Sequence, residues 1–397
     1  MSDASATERA TCLSSAPAIH VSVVVPVCNR SGELRRLLHA LAGQTFSGSP
    51  IEVLVCDDGS TEDLTEVLRE FAGEKGDGAN LPERPGGCCA PSGPVPFLTV
   101  GKLQLVYLRQ ANLGPGAARN LGLMHARGEL VAMTDSDCIP APTWLDEIIR
   151  PLADGSVGIV GGNIDYARAE HLSGRCINFL MSSTLGAAGA RNPRSAVHMK
   201  YYPRSGNLAV RRELALAAGG FPAASHGEDL EFSHKVMQLG GRAAFAERAQ
   251  VVHNERRGLR GVAREAFKKG EARVRLATRH GIHEVIHALP AVLCAYLALL
   301  SGAGACGWDL LPWLAIPGYL YGVTLGVLTI QGAIALRSAR AGPLVPVYAV
   351  AMHLGYGLGY LYAWFGHAME FVSSAGGSRC QKLLRRHKDA TDMGVER

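Results

Sequence analysis

The stretch ELVAMTDSDC, from Glu129 to Cys138, decides the fold because a buried strand inside it ends at two acids. The apolar run Leu130–Met133 has the length and composition of such a strand, and Asp135 and Asp137 follow it. In an open α/β sheet, ligands bind beyond the carboxyl ends of the strands. Carboxylate oxygens there suit a hard divalent cation such as Mg²⁺ or Mn²⁺, the usual partner of diphosphate groups. Taken alone, the pattern also fits a strand that ends in a turn, because Asp and Ser favour turns.

Strand and helix patterns alternate on the N-terminal side of this stretch. Val21–Val25 and Ile51–Cys56 have the composition of buried strands, and Leu34–Leu41 carries leucines at helical spacing. A capping signal predicts a further helix over Glu62–Ala72. Short links between such elements are typical of right-handed βαβ units, so we predict an α/β fold with a parallel sheet. Residues 73–102 are rich in Gly and Pro without periodicity, which predicts a flexible surface insertion.

Composition limits the function classes and the compartment. The net charge of +5 is too small to indicate nucleic acid, and no nucleic-acid-binding motif accompanies it, so we predict no nucleic-acid partner. The 10 cysteines form no C-x-x-C pair, which disfavours a disulfide scaffold. Residues 1–20 are polar and lack the basic and apolar regions of a signal peptide, so we predict a disordered N-terminus.

Three apolar stretches close the chain: Val285–Gly307, Leu310–Leu336 and Pro343–Val372. Each exceeds the roughly 20 residues that cross a bilayer core of about 30 Å, and none contains Lys or Arg. The alternative is an unusually apolar buried helical domain. Because three crossings would place the basic tail outside, against the positive-inside rule, a re-entrant or interfacial third segment also stays open.

A basic segment precedes these stretches. Residues 256–279 hold nine Lys or Arg and two acids, which suits contact with anionic lipid headgroups. By the positive-inside rule this segment predicts a multi-pass protein of the cell membrane whose preceding domain is cytoplasmic. The predicted segments are a disordered N-terminus (1–20), an α/β domain (21–255), a basic juxtamembrane and amphipathic segment (256–284), a transmembrane region of about three apolar segments (285–372) and a basic tail (373–397).

Six motifs follow one another in a recognisable order: VSVVVPVCNR, VLVCDDGSTED, NLGPGAARNLGL, VAMTDSDC, GEDLEFSHKV and VVHNE. Together they resemble the family 2 glycosyltransferases, inverting enzymes of the GT-A fold that use sugar nucleotides. The resemblance covers about residues 20–255. It implies a Rossmann-like, mostly parallel sheet flanked by helices, here followed by C-terminal transmembrane helices.

The resemblance also implies roles for individual residues. Asp58 would bind the nucleotide base, and Arg119 would approach the nucleotide or its phosphates. Asp229 would be the catalytic base that takes the acceptor proton. The implied ligands of a divalent metal, Mn²⁺ or Mg²⁺, are Asp135, Asp137 and His253. The implied nucleotide-sugar-binding residues are Pro26, Asp58, Arg119, Asp135, Gly206, Asn207 and Glu228.

We therefore predict a metal-dependent inverting glycosyltransferase with a UDP- or GDP-linked donor, working at the cytoplasmic membrane face. The chain reads EFSHKVMQLGG after the GED step, without the Q-x-x-R-W that marks processive synthases in this family, so transfer is predicted to be non-processive. The hydrophobic C-terminal region favours a saccharide or lipid-linked acceptor, in glycan or lipid-linked saccharide biosynthesis, with membrane lipids as further partners.

Two other classes stay open. A sugar nucleotidyltransferase shares the sheet and the metal, but its Gly-rich loop with a following Arg or Lys is missing, since the chain reads PVCNRSGE at that position. The other class is a non-catalytic membrane protein that only binds nucleotide or a partner. The intact acids Asp58, Asp135, Asp137 and Asp229 speak against it.

Overall fold

The computed structural model describes residues 20–48, 50–74, 97–165, 168–187, 201–223, 226–254, 257–307 and 311–392, the last with side chains up to residue 369. Two predictions fall largely on residues outside these ranges. They are the disordered N-terminus (1–20) and the insertion (73–102).

The described strands form one 9-stranded sheet in the order β3-β4-β2-β1-β5-β8-β7-β9-β6. They are β1 (Val21–Val27), β2 (Ile51–Asp58), β3 (Phe97–Val100), β4 (Leu103–Gln110), β5 (Leu130–Thr134), β6 (Cys138–Pro140), β7 (Val157–Ile164), β8 (Asn207–Arg211) and β9 (Arg242–His253). β4, β2, β1 and β5 pair in parallel, and two successive antiparallel pairings through β8 give β7 and β9 the same direction. β3, β6 and β8 run the other way. The prediction of a mostly parallel sheet is confirmed.

Helices pack on both faces of the sheet, as the alternation of side chains along a strand requires. Val23 and Val25 of β1 lie in one hydrophobic cluster, whereas Val24 lies in the other. The leucines predicted to form a helical stripe in residues 34–41 are all buried. The helices of this region are α1 (Ser31–Ala42), α2 (Leu64–Glu74), α3 (Pro115–His125), α4 (Trp144–Ile149), α5 (Leu172–Ser182), α6 (Thr184–Ala187), α7 (Arg212–Ala217) and α8 (Glu228–Gln238).

The register of the strands brings the candidate site residues to one edge. The parallel pairs Pro26↔Cys56 and Asp58↔Gln110 align the carboxyl ends of β1, β2 and β4. β5 ends beside them, and β8 begins opposite its last residue through the pair Thr134↔Asn207. The antiparallel pair Cys138↔His253 then places the end of β9 next to the turn that follows β5.

One strand differs from the prediction for residues 73–102. Phe97–Val100 forms β3, which pairs antiparallel with β4 across a turn at Gly101. Gly101 has a φ of +57°, a backbone conformation that glycine adopts without steric cost. After the predicted insertion, the sheet therefore resumes at Phe97 and not at Leu103, where we predicted it. Four residues are too short a run for periodicity to identify.

The chain divides into two compact units, one formed by residues 1–256 with 328–345 and the other by residues 257–327 with 346–397. The C-terminal helices are α9 (Leu259–His280), α10 (Leu289–Ala305), α11 (Leu311–Leu314), α12 (Ile316–Ala335) and α13 (Ala341–Asp392). Three segments are long and apolar enough to cross a membrane, namely Val285–Ala305, Pro312–Ala335 and Ala341–Met369. The three predicted apolar segments are thus helical.

Within the second unit, the basic helix α9 packs on α13 through glycines. Gly355 and Gly359 of α13 lie directly against the backbone of Ala263 and Phe267, and Gly270 of α9 lies against the backbone of Tyr356. A side chain at any of these three positions would collide with main-chain atoms. The glycines therefore set how closely the two helices approach.

Candidate functional site

Asp137 and His253 form the centre of the site. Nε2 of His253 lies 3.3 Å from Oδ1 of Asp137, and both side chains are largely buried. Nδ1 of His253 makes no hydrogen bond within the described part of the chain, and Oδ1 of Asp137 has only this contact with the imidazole. A carboxylate and an imidazole are donors that suit Mn²⁺, so this pair fits the divalent metal that the resemblance implies.

Cys138 is the third member of this cluster. Its sulfur and the ligand atoms of Asp137 and His253 all lie within 4.8 Å of one another. Burial raises the pKa of the Cys138 thiol well above its ordinary value, with the charges of Asp137 and Asp135 acting in the same direction. A protonated thiol is a poor ligand for a hard cation. Asp135, the remaining predicted ligand, lies outside this cluster, and its carboxylate pairs with an arginine of α3.

That arginine, Arg119, is the buried cation of the site. Its Nη2 donates to Oδ1 of Asp135 over 2.8 Å, and its Nη1 lies 3.5 Å from Oε1 of Glu228. The guanidinium also lies over the ring of Phe221, 5.5 Å from its centroid. Burial and the charge of Asp229 raise the pKa of Glu228, while Arg119 partly offsets this shift. Arg119 thereby joins the end of β5 to the beginning of α8.

Asp229 is the second residue of α8, and Arg204 lies beside its carboxylate. Nη1 of Arg204 is 3.4 Å from Oδ1 and 3.5 Å from Oδ2 of Asp229. The helix begins after Gly227, whose φ of +78° turns the chain into α8. The acid predicted to be the catalytic base is thus held at the start of a helix, next to a cation.

Asp137 has a second partner in Arg30, from the loop between β1 and α1. The guanidinium of Arg30 pairs with Oδ2 of Asp137, the oxygen that does not face His253. Burial raises the pKa of Asp137, but the hydrogen bonds and charges of His253 and Arg30 outweigh it and hold that pKa well below its usual range. The carboxylate is therefore ionised at neutral pH.

The adjacent acids Asp57 and Asp58 hold the loops around the predicted base pocket. Asp57 accepts hydrogen bonds from Tyr107 Oη (2.6 Å) and the Ser60 amide (2.8 Å), and it is fully buried. Asp58 accepts from the amides of Leu113 (2.8 Å) and Gly114 and from Gln110 Nε2 (2.8 Å). Asp58 thus ties the end of β2 to the loop before α3, two residues beyond Cys56, the register partner of Pro26 in β1.

Gly206 and Asn207 occupy different places. A Cβ on Gly206 would meet Oδ2 of Asp135 at 2.9 Å, so Gly206 borders the site directly. The side chain of Asn207 is buried, donating to the carbonyls of Asn163 (2.8 Å) and Ala249 (2.9 Å) and accepting from Trp144 Nε1 (2.8 Å). With these bonds, the Asn207 side chain connects β8 to its surroundings instead of lining the site.

This chain is similar to known glycosyltransferases. The sequence profile described as Glycosyl transferase family 2 matches residues 22–85 and 99–201. The glycosyltransferase AglE of Haloferax volcanii is 26% identical over 231 residues, which cover 57% of this chain. The pre-mycofactocin glycosyltransferase of Mycobacterium tuberculosis is 30% identical over 264 residues, which cover 66% of it.

The matched residues of this chain are similar to the glycosyl transferases of family 2. Among solved structures, the mannosyltransferase PcManGT from Pyrobaculum calidifontis, in complex with GDP-Man and Mn²⁺, has a TM-score of 0.54 at 21% identity. The match covers 88% of this chain and 93% of PcManGT, and it confirms the GT-A fold. The chain spans 64% of the length of AglE and 48% of that of the pre-mycofactocin glycosyltransferase.

Sequence reasoning missed two arginines of this site, Arg30 and Arg204. Arg30 is the last residue of the motif VSVVVPVCNR and Arg204 directly precedes Ser205, but many surface arginines stand at such positions as well. What distinguishes these two is the carboxylate that each one meets, Asp137 for Arg30 and Asp229 for Arg204. Those partners lie far away along the chain.

Proposed function

We propose that this protein transfers a sugar from a nucleotide-sugar donor to an acceptor hydroxyl, with inversion at the anomeric carbon and with a divalent metal. The observation that carries the proposal is the arrangement at one sheet edge. The Asp137–His253 pair, the Arg119 contacts to Asp135 and Glu228, and the α8 residue Asp229 all belong to it.

Donor binding uses the carboxyl ends of β1, β2 and β5. Asp137 and His253 would hold the metal, which supplies Lewis-acid stabilisation of the charge on the leaving diphosphate. Asp58 would bind the nucleotide base, with the backbone near Pro26 beside it, and Arg119 would supply a fixed positive charge near the phosphates. Because Asp135 and Glu228 hold Arg119 in a buried place, this charge needs little reorganisation during the reaction.

Asp229 acts as the general base. Its carboxylate takes the proton of the acceptor hydroxyl while the acceptor oxygen forms a bond to the anomeric carbon. The bond from that carbon to the phosphate oxygen breaks, and the nucleoside diphosphate leaves with the electron pair. Attack on the face opposite the leaving group inverts the anomeric centre, so one protein base is sufficient. Arg204 keeps the Asp229 carboxylate oriented.

The donor is UDP- or GDP-linked, and the acceptor is a saccharide or a lipid-linked saccharide at the cytoplasmic face of the cell membrane. The three apolar helices support a membrane location, and the basic helix α9 beside them supports contact with anionic lipids. The complex of PcManGT with GDP-Man and Mn²⁺ supports a donor and metal of this class. Non-processive transfer follows from the missing Q-x-x-R-W.

The test compares Asp137→Ala and Asp229→Ala with Asp154→Ala, which removes an exposed acid paired with Arg242. A screen of UDP- and GDP-sugars for Mn²⁺-dependent thermal stabilisation first identifies the donor. We expect each site variant to lose sugar transfer by about 10²-fold or more while its unfolding midpoint stays close to that of the control. Full activity in either site variant would contradict the assignment. Release of pyrophosphate from a nucleoside triphosphate and a sugar phosphate would favour the nucleotidyltransferase instead.

A further inference from the structure

Arg30 pairs with the same carboxylate that the proposed function assigns to the metal. Its guanidinium contacts Oδ2 of Asp137, and Oδ1 of that carboxylate faces His253. A guanidinium and a divalent cation on one carboxylate repel each other at short range. Arg30 and the metal therefore compete for Asp137.

The position of Arg30 is set by the backbone on both sides of it. The carbonyl of Arg30 accepts the amide of Leu34 and so begins α1. Asn29, with a φ of +52°, is tied to the loop after β2 because its Oδ1 accepts hydrogen bonds from the amide (2.7 Å) and hydroxyl (2.9 Å) of Thr61. The backbone at Arg30 is thus anchored at the sheet edge, whereas its side chain is partly exposed to solvent.

The two arginines of the site differ in this freedom. The Arg119 side chain is 5% exposed and lies between two acids, so it is a fixed charge. The Arg30 side chain is 44% exposed, and a long flexible arginine can leave Asp137 without opening a buried cavity. A diphosphate is a strong partner for a guanidinium, since it accepts charge-assisted and bidentate hydrogen bonds.

We propose that Arg30 couples metal binding to binding of the donor diphosphate. Arg30 holds Asp137 until a metal takes that carboxylate, and the displaced guanidinium then pairs with the diphosphate. Metal and nucleotide consequently strengthen each other's binding. The metal releases Arg30 from Asp137 so that it can pair with the diphosphate, and the diphosphate keeps Arg30 from competing with the metal for Asp137. This inference rests on the proposed function, in which Asp137 is a metal ligand.

The experiment measures Mn²⁺ binding to the full-length protein in detergent, through the electron paramagnetic resonance signal of free Mn²⁺. The variants are Arg30→Ala and Arg30→Gln, with Arg35→Ala as the matched control. Arg35 is a similarly exposed arginine of α1 that pairs with Glu70 and Glu74. Asp137→Ala reports on the metal site itself. Each titration is done without nucleotide and with excess UDP or GDP, correcting for Mn²⁺ bound by free nucleotide.

Without nucleotide, we expect both Arg30 variants to bind Mn²⁺ about tenfold more tightly than the wild type, a usual size for coupling between two ligands. With UDP or GDP, the wild type should gain more Mn²⁺ affinity than the Arg30 variants do. A purely structural role for Arg30 would weaken Mn²⁺ binding or leave it unchanged.

Unchanged or weaker Mn²⁺ binding by both Arg30 variants, or an equal nucleotide effect in wild type and variants, would overturn the coupling. If Asp137→Ala binds Mn²⁺ as tightly as the wild type, the metal site of the proposed function fails instead. If Asp137→Ala loses Mn²⁺ and the Arg30 variants match Arg35→Ala, only the role of Arg30 is rejected. Two variants with different side chains guard against misfolding of one.

Discussion

At the scale of single residues, two buried acids of the site respond to folding in opposite directions. Burial and the neighbouring Asp229 raise the pKa of Glu228, with Arg119 offsetting part of the shift. Burial also raises the pKa of Asp137, but His253 and Arg30 reverse that effect and lower it. Folding therefore favours a proton on Glu228 and an ionised carboxylate at Asp137, although both acids stand at the same sheet edge.

The raised pKa of Glu228 predicts a pH-dependent stability. Because the folded protein binds this proton more tightly than the unfolded chain, the free energy of unfolding rises as pH falls through the folded-state pKa. Above that pH, ionised Glu228 destabilises the fold. Glu228→Gln should raise the thermal unfolding midpoint at neutral pH, on the order of 2 °C, and the gain should shrink toward the ordinary Glu pKa of about 4.3.

The control for this measurement is Glu129→Gln, which changes an acid that is 84% exposed. Both variants and the wild type are unfolded in detergent across the same pH series. A gain for Glu228→Gln that stays constant with pH would contradict the assigned shift, because a change of packing alone has no such pH dependence.

At the scale of elements, small residues decide which helices can approach each other. Gly355 and Gly359 of α13 admit the backbone of α9, as glycines do in closely packed membrane helices. The hydrophobic sequence of α13 is not sufficient for this contact, because any larger residue at these positions meets main-chain atoms. The face of α13 that packs on α9 is therefore specified by a few positions within its apolar part, Ala341–Met369.

Gly359→Ala tests this contact. The added methyl group would meet the backbone of Phe267, so α9 and α13 must separate, and we expect a loss of about 1–3 kcal/mol in stability. Gly366→Ala in the same helix is the control, because a Cβ there has no atom within 4 Å. Thermal unfolding in detergent should show a lower midpoint for Gly359→Ala only. Equal midpoints for the two variants would show that the close approach contributes nothing to stability.

At the scale of the whole molecule, the membrane topology depends on the third apolar helix. The backbone of α13 is helical without interruption from Ala341 to Asp392, although Pro346 lies inside it. A continuous helix of this kind supports a crossing over a re-entrant segment. We predict three crossings, which would put residues 373–397 on the opposite membrane face from residues 21–255, despite their basic composition.

Labelling of single cysteines with a membrane-impermeant maleimide distinguishes the alternatives. One variant keeps only Cys380 of the tail, and its control keeps only Cys28, which is partly exposed in the first unit. In intact cells we expect labelling at Cys380 and not at Cys28, whereas permeabilised cells should label both. Protection of both cysteines in intact cells would indicate that the third segment does not cross.

The sequence by itself determined the parts of this protein that depend on neighbouring residues. The buried strand before Asp135, the leucine stripe of α1 and the three apolar helices all follow from periodicity or length, which local contacts impose. The order of the motifs then led to the family and its fold. In the site, the resemblance to that family implied roles for Asp137, His253, Arg119 and Asp229, which lie at the sheet edge or at the start of α8.

Only the tertiary structure decided how these residues combine. Asp137 and His253 meet because β6 pairs with β9 in one register, and Arg30 joins them from a loop 107 positions away. The same holds for the buried acid Glu52, which accepts hydrogen bonds from Ser22 and Arg127 at the other end of the sheet. A strand sequence cannot distinguish a paired buried acid from an exposed one. Strand order and register determine which of these side chains come into contact, and both are properties of the assembled sheet.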